Sequence, residues 1–378
     1  ILFMNIPFHA NVIMAYVPFD PALSSDTFVT AFYTIFADGR FRTLFCILFG
    51  AGLAIQYEAC KRKNIDSTIF LKSRLHWLLL FGFLHAVFIF GGDILMLYSL
   101  TALLFLKGLD LDRSTLLIKS RKFLVIGSIL SLIFAAFIML GSHFEPPMTR
   151  GSEEFLKDHA AWRLDYLHQI LNQGGFALLL LIVSPISILW QVLGLMYLGA
   201  YLYRTGFFES GFENGTLAKV SVAAIVTTLI ALAPLLGFEN IDISAILMIS
   251  SVSAIFVALI YAHIIVKVCR SPGLLVKIFE APGKVAFSLY IFQSISLGLL
   301  LRFILPDFAL TATMLDYFGL ALVFTLIQII LAHVYLRYRQ QGPLEYLWRK
   351  AYSRSLENKL AAREGIKESD KQSENSRN

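Results

Sequence analysis

Apolar runs of membrane length recur along almost the whole chain, near residues 1–18, 41–57, 75–91, 93–109, 123–141, 176–200, 217–237, 243–266, 285–305 and 317–336. A helix needs roughly 20 apolar residues to cross a hydrocarbon core, with about 17 as the lower limit. Hydrocarbon offers backbone N–H and C=O groups no partners, so each segment must satisfy its own. The expected fold is an all-α, polytopic transmembrane helical bundle of about ten spans, the third and fourth of them short. Composition agrees, because over 378 positions 57% hydrophobic residues exceed, and 15% charged residues fall short of, what a soluble domain carries. Ile1 already lies inside an apolar run, which implies that part of the first helix precedes the sequence given.

Lys and Arg in short loops set orientation, and here they alternate. Lys61, Arg62, Lys63, Lys72 and Arg74 follow the second run, and Lys107, Arg113, Lys119, Arg121 and Lys122 follow the fourth. Arg204 and Lys219 bracket the loop after the sixth, and Lys267, Arg270, Lys277 and Lys284 fill the one after the eighth. The intervening loops are poor in basic residues or acidic, as at Glu239 to Asp242 and over 141–175. This predicts both termini in the cytoplasm, Gly91-Gly92 on the outer side and a multi-pass protein of the inner (plasma) membrane. The net charge of +6 then reflects basic loops facing anionic lipid headgroups. Membrane lipids and a small-molecule substrate are the expected partners, and no basic patch with interleaved aromatics suggests nucleic acid. Residues 1–353 read as the membrane domain, with 141–175 an outer loop. Residues 354–378, polar and lacking aromatics from Glu357 on, read as a disordered cytoplasmic tail.

Two further pieces do not span. Phe28, Phe32 and Ile35 recur at helical spacing in 27–37, which suits an amphipathic helix at the outer interface. Near the end, Gly342 can close the tenth helix and Pro343 can start another, with Tyr346 and Trp348 as interfacial anchors.

ILFMNI at 1–6, FADGRFRTLFCILFGAGLAIQ at 36–56, GFLHAVFIFGGDILMLYSLTALL at 82–104, QVLGLMYLGAYLYRTGFF at 191–208, GKVAFSLYIFQS at 283–294 and GPLEYLWR at 342–349 together resemble the YeiB-like family of bacterial membrane proteins, domain-of-unknown-function family 418. That family usually begins with an Arg/Asp-containing motif just before its first helix, and this chain starts after that point. The family is distantly similar to the membrane acyltransferase superfamily. The resemblance implies acyl transfer from a cytosolic donor such as acyl-CoA to an acceptor near the far face, with no bound cofactor.

Ionisable groups inside apolar runs are functional candidates by default. His85 and Asp93 flank Gly91-Gly92. Asp93 suits a helix cap and, if the helices fold back, can orient His85 as a general base; packing alone is the competing reading for His85. Arg40 and Arg42 flank Phe41 at the outer start of the second span. At least one should snorkel to the interface, and the other can pair with Asp93 or bind an anionic group. Asn5 and His9, at i and i+4, share a helix face that points into the bundle. Gln56, Gln191, Gln293 and Gln328 suit interhelical hydrogen bonds, with Gln293 a candidate for lining a substrate path. Gly50, Gly52, Ala54, Gly194 and Gly199 suit close helix packing, and Pro185 a kink. Cys46, Cys60 and Cys269 have neither metal nor disulfide spacing, so no metal is expected. HExxH, GxSxG and P-loop motifs are absent. Acyl transfer, secondary transport of a small solute and a non-catalytic scaffold stay open.

Overall fold

The computed structural model describes residues 2–144, 148–163, 165–237, 243–271 and 273–358. Regular structure among these residues is helical throughout. In chain order the helices are α1 Leu2–Ala10, α2 Ser24–Phe36, α3 Arg40–Arg62, α4 Ser67–Phe88, α5 Leu95–Phe105, α6 Arg113–Phe144, α7 Glu153–Trp162 and α8 Tyr166–Val183. There follow α9 Leu189–Arg204, α10 Phe207–Ser210, α11 Asn214–Gly237, α12 Ile243–Cys269, α13 Leu274–Lys284, α14 Ala286–Leu299, α15 Phe308–Thr311 and α16 Met314–Tyr338. A last helix, α17, covers 343–358.

Among the described residues, 7 helices are long and apolar enough to cross a membrane: Ser24–Arg62, Arg113–Gly141, Tyr166–Ile186, Asn214–Ala233, Ala245–Cys269, Ala286–Ile304 and Met314–Tyr338. Of the expected spans missing from that set, 75–91 falls largely in the continuous helix α4 and 93–109 in the shorter apolar helix Leu95–Gly108, while two others are broken by particular residues. The run at 1–18 is helical only to Ala10, where the Asn11 side chain accepts from the backbone N–H groups of Ile13 and Met14 and turns the chain. The run at 176–200 is two helices rather than one kinked one, because Pro185 sits in a 3-10 turn, Ser184–Ile186, between α8 and α9. The segment 141–175 is largely helical: α6 runs on to Phe144, and the Ser152 side chain caps α7 by accepting from Phe155 N.

Helix α9 is the axis of the main core. Residues 191–200 are buried without a break, as expected of a helix apolar on every side. Its neighbours approach through glycine. A Cβ on Gly199 would lie 1.9 Å from the Ile47 carbonyl oxygen, one on Gly50 2.2 Å from that of Met196, and one on Gly127 2.5 Å from Gln191 N. Small residues let membrane helices meet backbone to backbone, where dispersion has to replace the hydrophobic effect.

The two ends of the bundle are fastened differently. At the end carrying the basic loops, Arg74 of α4 lies 4.4 Å over the Trp348 ring and 4.7 Å over Tyr352 of α17, while Trp348 donates to Arg74 O at 3.1 Å. Glu345 accepts from Phe287 N at 2.8 Å and Ser288 N at 3.1 Å, so α17 supplies the N-terminal cap of α14. Trp348, expected as an interfacial ring, thus clamps α17 to α4. α16 ends at Tyr338, ahead of Gly342, and the expected tail is still helical over 354–358. Residues 239–242 and 359–378 lie outside the described residues. At the opposite end Arg150 donates to Val17 O at 2.7 and 2.9 Å, pinning the segment before α7 to the 11–23 connection. α2, which forms the first part of the stretch Ser24–Arg62, lies there with Phe28, Phe32 and Phe36 exposed, a pattern that suits the expected amphipathic helix.

The glycine contacts carry a direct test. Gly199→Ala should lower stability by about 1–3 kcal/mol, because two backbones must separate. Gly52→Ala, with no atom within 4 Å of the added Cβ, should leave the melting temperature in detergent unchanged or slightly raised. Equal effects of the two would refute the close-approach account.

Candidate functional site

The site begins with how the chain reverses between α4 and α5. The last turn of α4 ends with the N–H groups of Ile89 and Phe90 both donating to His85 O, at 2.9 and 2.8 Å. Phe90 then tucks inward, fully buried, beneath Gly92. A Cβ on Gly92 would lie 2.7 Å from the Phe90 ring, and one on Gly91 2.8 Å from Gln173 O of α8. One on Gly82 would lie 2.5 Å from Met96 N and 2.9 Å from Asp93 Oδ2. The three glycines thus let α5 return tightly against α4.

That reversal brings His85 and Asp93 together. His85 Nδ1 lies 2.8 Å from Asp93 Oδ1, and both side chains are almost wholly buried. The other carboxylate oxygen accepts from Met96 N at 2.7 Å, so Asp93 both caps α5 and orients the imidazole. Tyr290 of α14 donates to Asp93 Oδ1 at 3.1 Å and lies 5.0 Å, ring to ring, from His85. With Nδ1–H facing a carboxylate, Nε2 is the basic nitrogen, and it has no hydrogen-bond partner.

Other polar side chains gather around this centre. His9 is fully buried and packs on Phe90 at 4.0 Å, with neither ring nitrogen partnered. Arg302 donates from Nε to His9 O at 2.8 Å and lies 5.4 Å over the Trp162 ring, while its Nη2 finds no acceptor. Gln173 is buried with both amide atoms unpartnered. Unsatisfied polar atoms inside a membrane bundle are costly, and several in one place mark a site rather than a core.

The remaining sequence candidates lie elsewhere or serve packing. Arg40 is completely buried, not snorkelling, with Nη1 donating to Asp38 O at 2.6 Å and Nη2 to Ser253 Oγ of α12 at 2.7 Å. The ionic partner of Asp93 is His85, and neither Arg40 nor Arg42 pairs with it. Arg42 is half-buried, its carbonyl accepting from Tyr98 at 3.5 Å. Asn5 is half-buried, whereas His9 on the same helix enters the cluster. Gln293 accepts from Gln328 Nε2 at 3.4 Å, an interhelical bond between α14 and α16. Among the described residues no group of three or more His, Cys, Asp or Glu could hold a metal ion.

Sequence reasoning passed over Tyr290, Arg302 and Gln173. An arginine in the run LLRFILP carried the same intramembrane signal as His85. Tyr290 carried none, since tyrosine is common near membrane interfaces.

A helical membrane bundle with a buried His–Asp pair behind a glycine turn is the class of protein that fold and site define. Residues 202–355 match the family model described as a protein of unknown function (DUF418). The chain is similar to the uncharacterized protein YeiB of Escherichia coli (strain K12), 26% identical over 348 residues, covering 86% of this chain and 84% of that one. It is also similar to the uncharacterized protein YxaH of Bacillus subtilis (strain 168), 24% identical over 326 residues, covering 82% and 78%. These matches support a YeiB-like family for this chain, as the sequence motifs indicated. No solved structure matches it.

The hydrogen bonds rank the variants. Asp93→Ala strands the His85, Met96 and Tyr290 donors and should cost about 1–3 kcal/mol, whereas Tyr290→Phe removes two longer bonds, to Asp93 at 3.1 Å and from Ile94 N at 3.5 Å, and should cost about 1 kcal/mol. Thermal unfolding in detergent checks this order, and a reversal would show that Asp93 is not the hub.

Proposed function

We propose that the His85–Asp93 pair is the general-base centre of an acyltransferase-like enzyme. The reading rests on one observation above others: a buried imidazole held by a carboxylate through Nδ1, with Nε2 unpartnered. In an orientation with both termini in the cytoplasm, an acyl-CoA donor approaches from the basic end. A hydroxyl or amine acceptor comes from the Gly91-Gly92 side.

In the step so defined, His85 Nε2 takes the acceptor's proton as its oxygen or nitrogen attacks the thioester carbonyl carbon. The carbon–sulfur bond breaks, and the thiolate leaves and regains a proton from the imidazolium. The products are an ester or amide and the free thiol. Asp93 keeps the imidazole in the useful tautomer and stabilises its charged form. The basic loops suit the anionic phosphates of such a donor.

Secondary transport is the second reading. It is favoured by the partnerless polar atoms of His9, Gln173 and Arg302, which could bind a solute or pass a proton.

Purified protein incubated with acetyl-CoA and a panel of hydroxyl and amine acceptors should release free thiol only when an acceptor is present. His85→Ala should lower that rate by about a hundredfold or more while leaving a cooperative melt. A folded His85→Ala protein with undiminished transfer would sink the enzyme reading, and solute flux into vesicles without any donor would favour transport.

A further inference from the structure

The groove beside the His–Asp pair has a chemistry of its own. It has a volume of about 270 Å³ and lies between the end of α4, the start of α8 and the end of α14. Phe88, Ile295, Leu299 and Phe303 form apolar walls that are exposed on the surface of the bundle. Tyr166 donates to Phe88 O and ties α8 to α4 along one side. In a membrane such walls face acyl chains.

One charged residue borders this groove, Arg302, and it is 7% exposed. Its backbone lies in a π-helical turn, Leu300–Ile304, closed by Leu305 N donating to Leu300 O at 2.7 Å. Turns of this kind are frequent at functional sites. The ion pairs of the described residues leave Arg302 out. Its Nε is engaged by His9 O, Nη2 has no acceptor, and the guanidinium plane rests over Trp162. A buried guanidinium without a counter-charge is expensive in hydrocarbon, and its planar fork matches carboxylate and phosphate oxygens. Gly298 lies beneath it: a Cβ there would sit 3.7 Å from Arg302 Cζ, so glycine keeps the approach open.

From these features we infer that the groove binds an anionic amphiphile of the membrane. Its phosphate or carboxylate head meets Arg302, and its chain lies along Phe88, Ile295, Leu299 and Phe303. The groove adjoins the reactive centre, since Ser294 follows Tyr290 by one turn and Phe88 follows His85 by one. Use of the amphiphile as acyl acceptor rests on the transferase reading; its binding does not.

Dodecyl phosphate is the probe, titrated against the full chain in a neutral maltoside detergent and followed by native mass spectrometry and thermal shift. Saturable binding is expected, weakened about tenfold or more by Arg302→Gln and less by Arg302→Lys, which keeps the charge but loses the planar fork. Gly298→Leu keeps the guanidinium but fills the groove, and it should weaken binding as much even if Arg302→Gln does not fold. Inorganic phosphate binding as tightly as dodecyl phosphate would make this a plain anion site and overturn the inference. So would equal binding of dodecanol, which would leave only an apolar groove. Binding that survives Gly298→Leu would place the amphiphile elsewhere. His85→Ala should bind dodecyl phosphate normally, so loss of transfer and loss of binding are read separately.

Discussion

Hydrocarbon cannot hydrogen-bond, and that constraint organises this molecule at every scale. It makes the backbone helical and pushes connections to the two ends. It also forces any polar side chain within the bundle to find a partner in the protein or to stand exposed as an energetic cost. Gln191, donating to Ser251 O at 3.1 Å, and Gln328, donating to Leu289 O at 3.0 Å, conform. Unpartnered buried atoms occur elsewhere too, as at Arg40 Nε and Asp38 Oδ1, but around α4, α8 and α14 they surround the His85–Asp93 pair.

Helix packing and the site depend on glycine in two different ways. Around α9 it lets long helices cross backbone to backbone, which fixes the core that α3, α6 and α5 share. Between α4 and α5 it permits a reversal too tight for side chains, with Phe90 folded inward beneath it. The first use gives stability without polar groups. The second places a carboxylate against an imidazole 8 residues earlier in the chain.

Much of the helical character was legible in the sequence, because the length of an apolar run acts locally. The breaks were less so: Asn11 ends α1 through its own side chain, and Pro185 separates α8 from α9 where a kink was expected. The Gly91-Gly92 turn put His85 and Asp93 within reach of each other, but their contact depends on the rotation of α4 and α5, which the sequence left open. The fate of Arg40 was not, because it depends on which face of α3 meets α12, and helix rotation leaves no mark in an all-apolar segment. Tyr290 escaped for a related reason: it joins the site from almost 200 positions away, and nothing in FSLYIFQS distinguishes it from a lipid-facing ring.

The hydrogen bonds around Asp93 also limit what the pair can do. Oδ2 is occupied by Met96 N, while Oδ1 accepts from Tyr290 and faces His85 Nδ1. The carboxylate's part in the structure is to hold the ring and cap α5, which leaves Nε2 as the ring nitrogen free to meet a group outside the cluster. His9 cannot take that part in the same way, because neither of its nitrogens faces a carboxylate that would fix its tautomer. Both histidines are buried, and the geometry separates them: a carboxylate holds His85 through Nδ1, whereas His9 packs on the Phe90 ring.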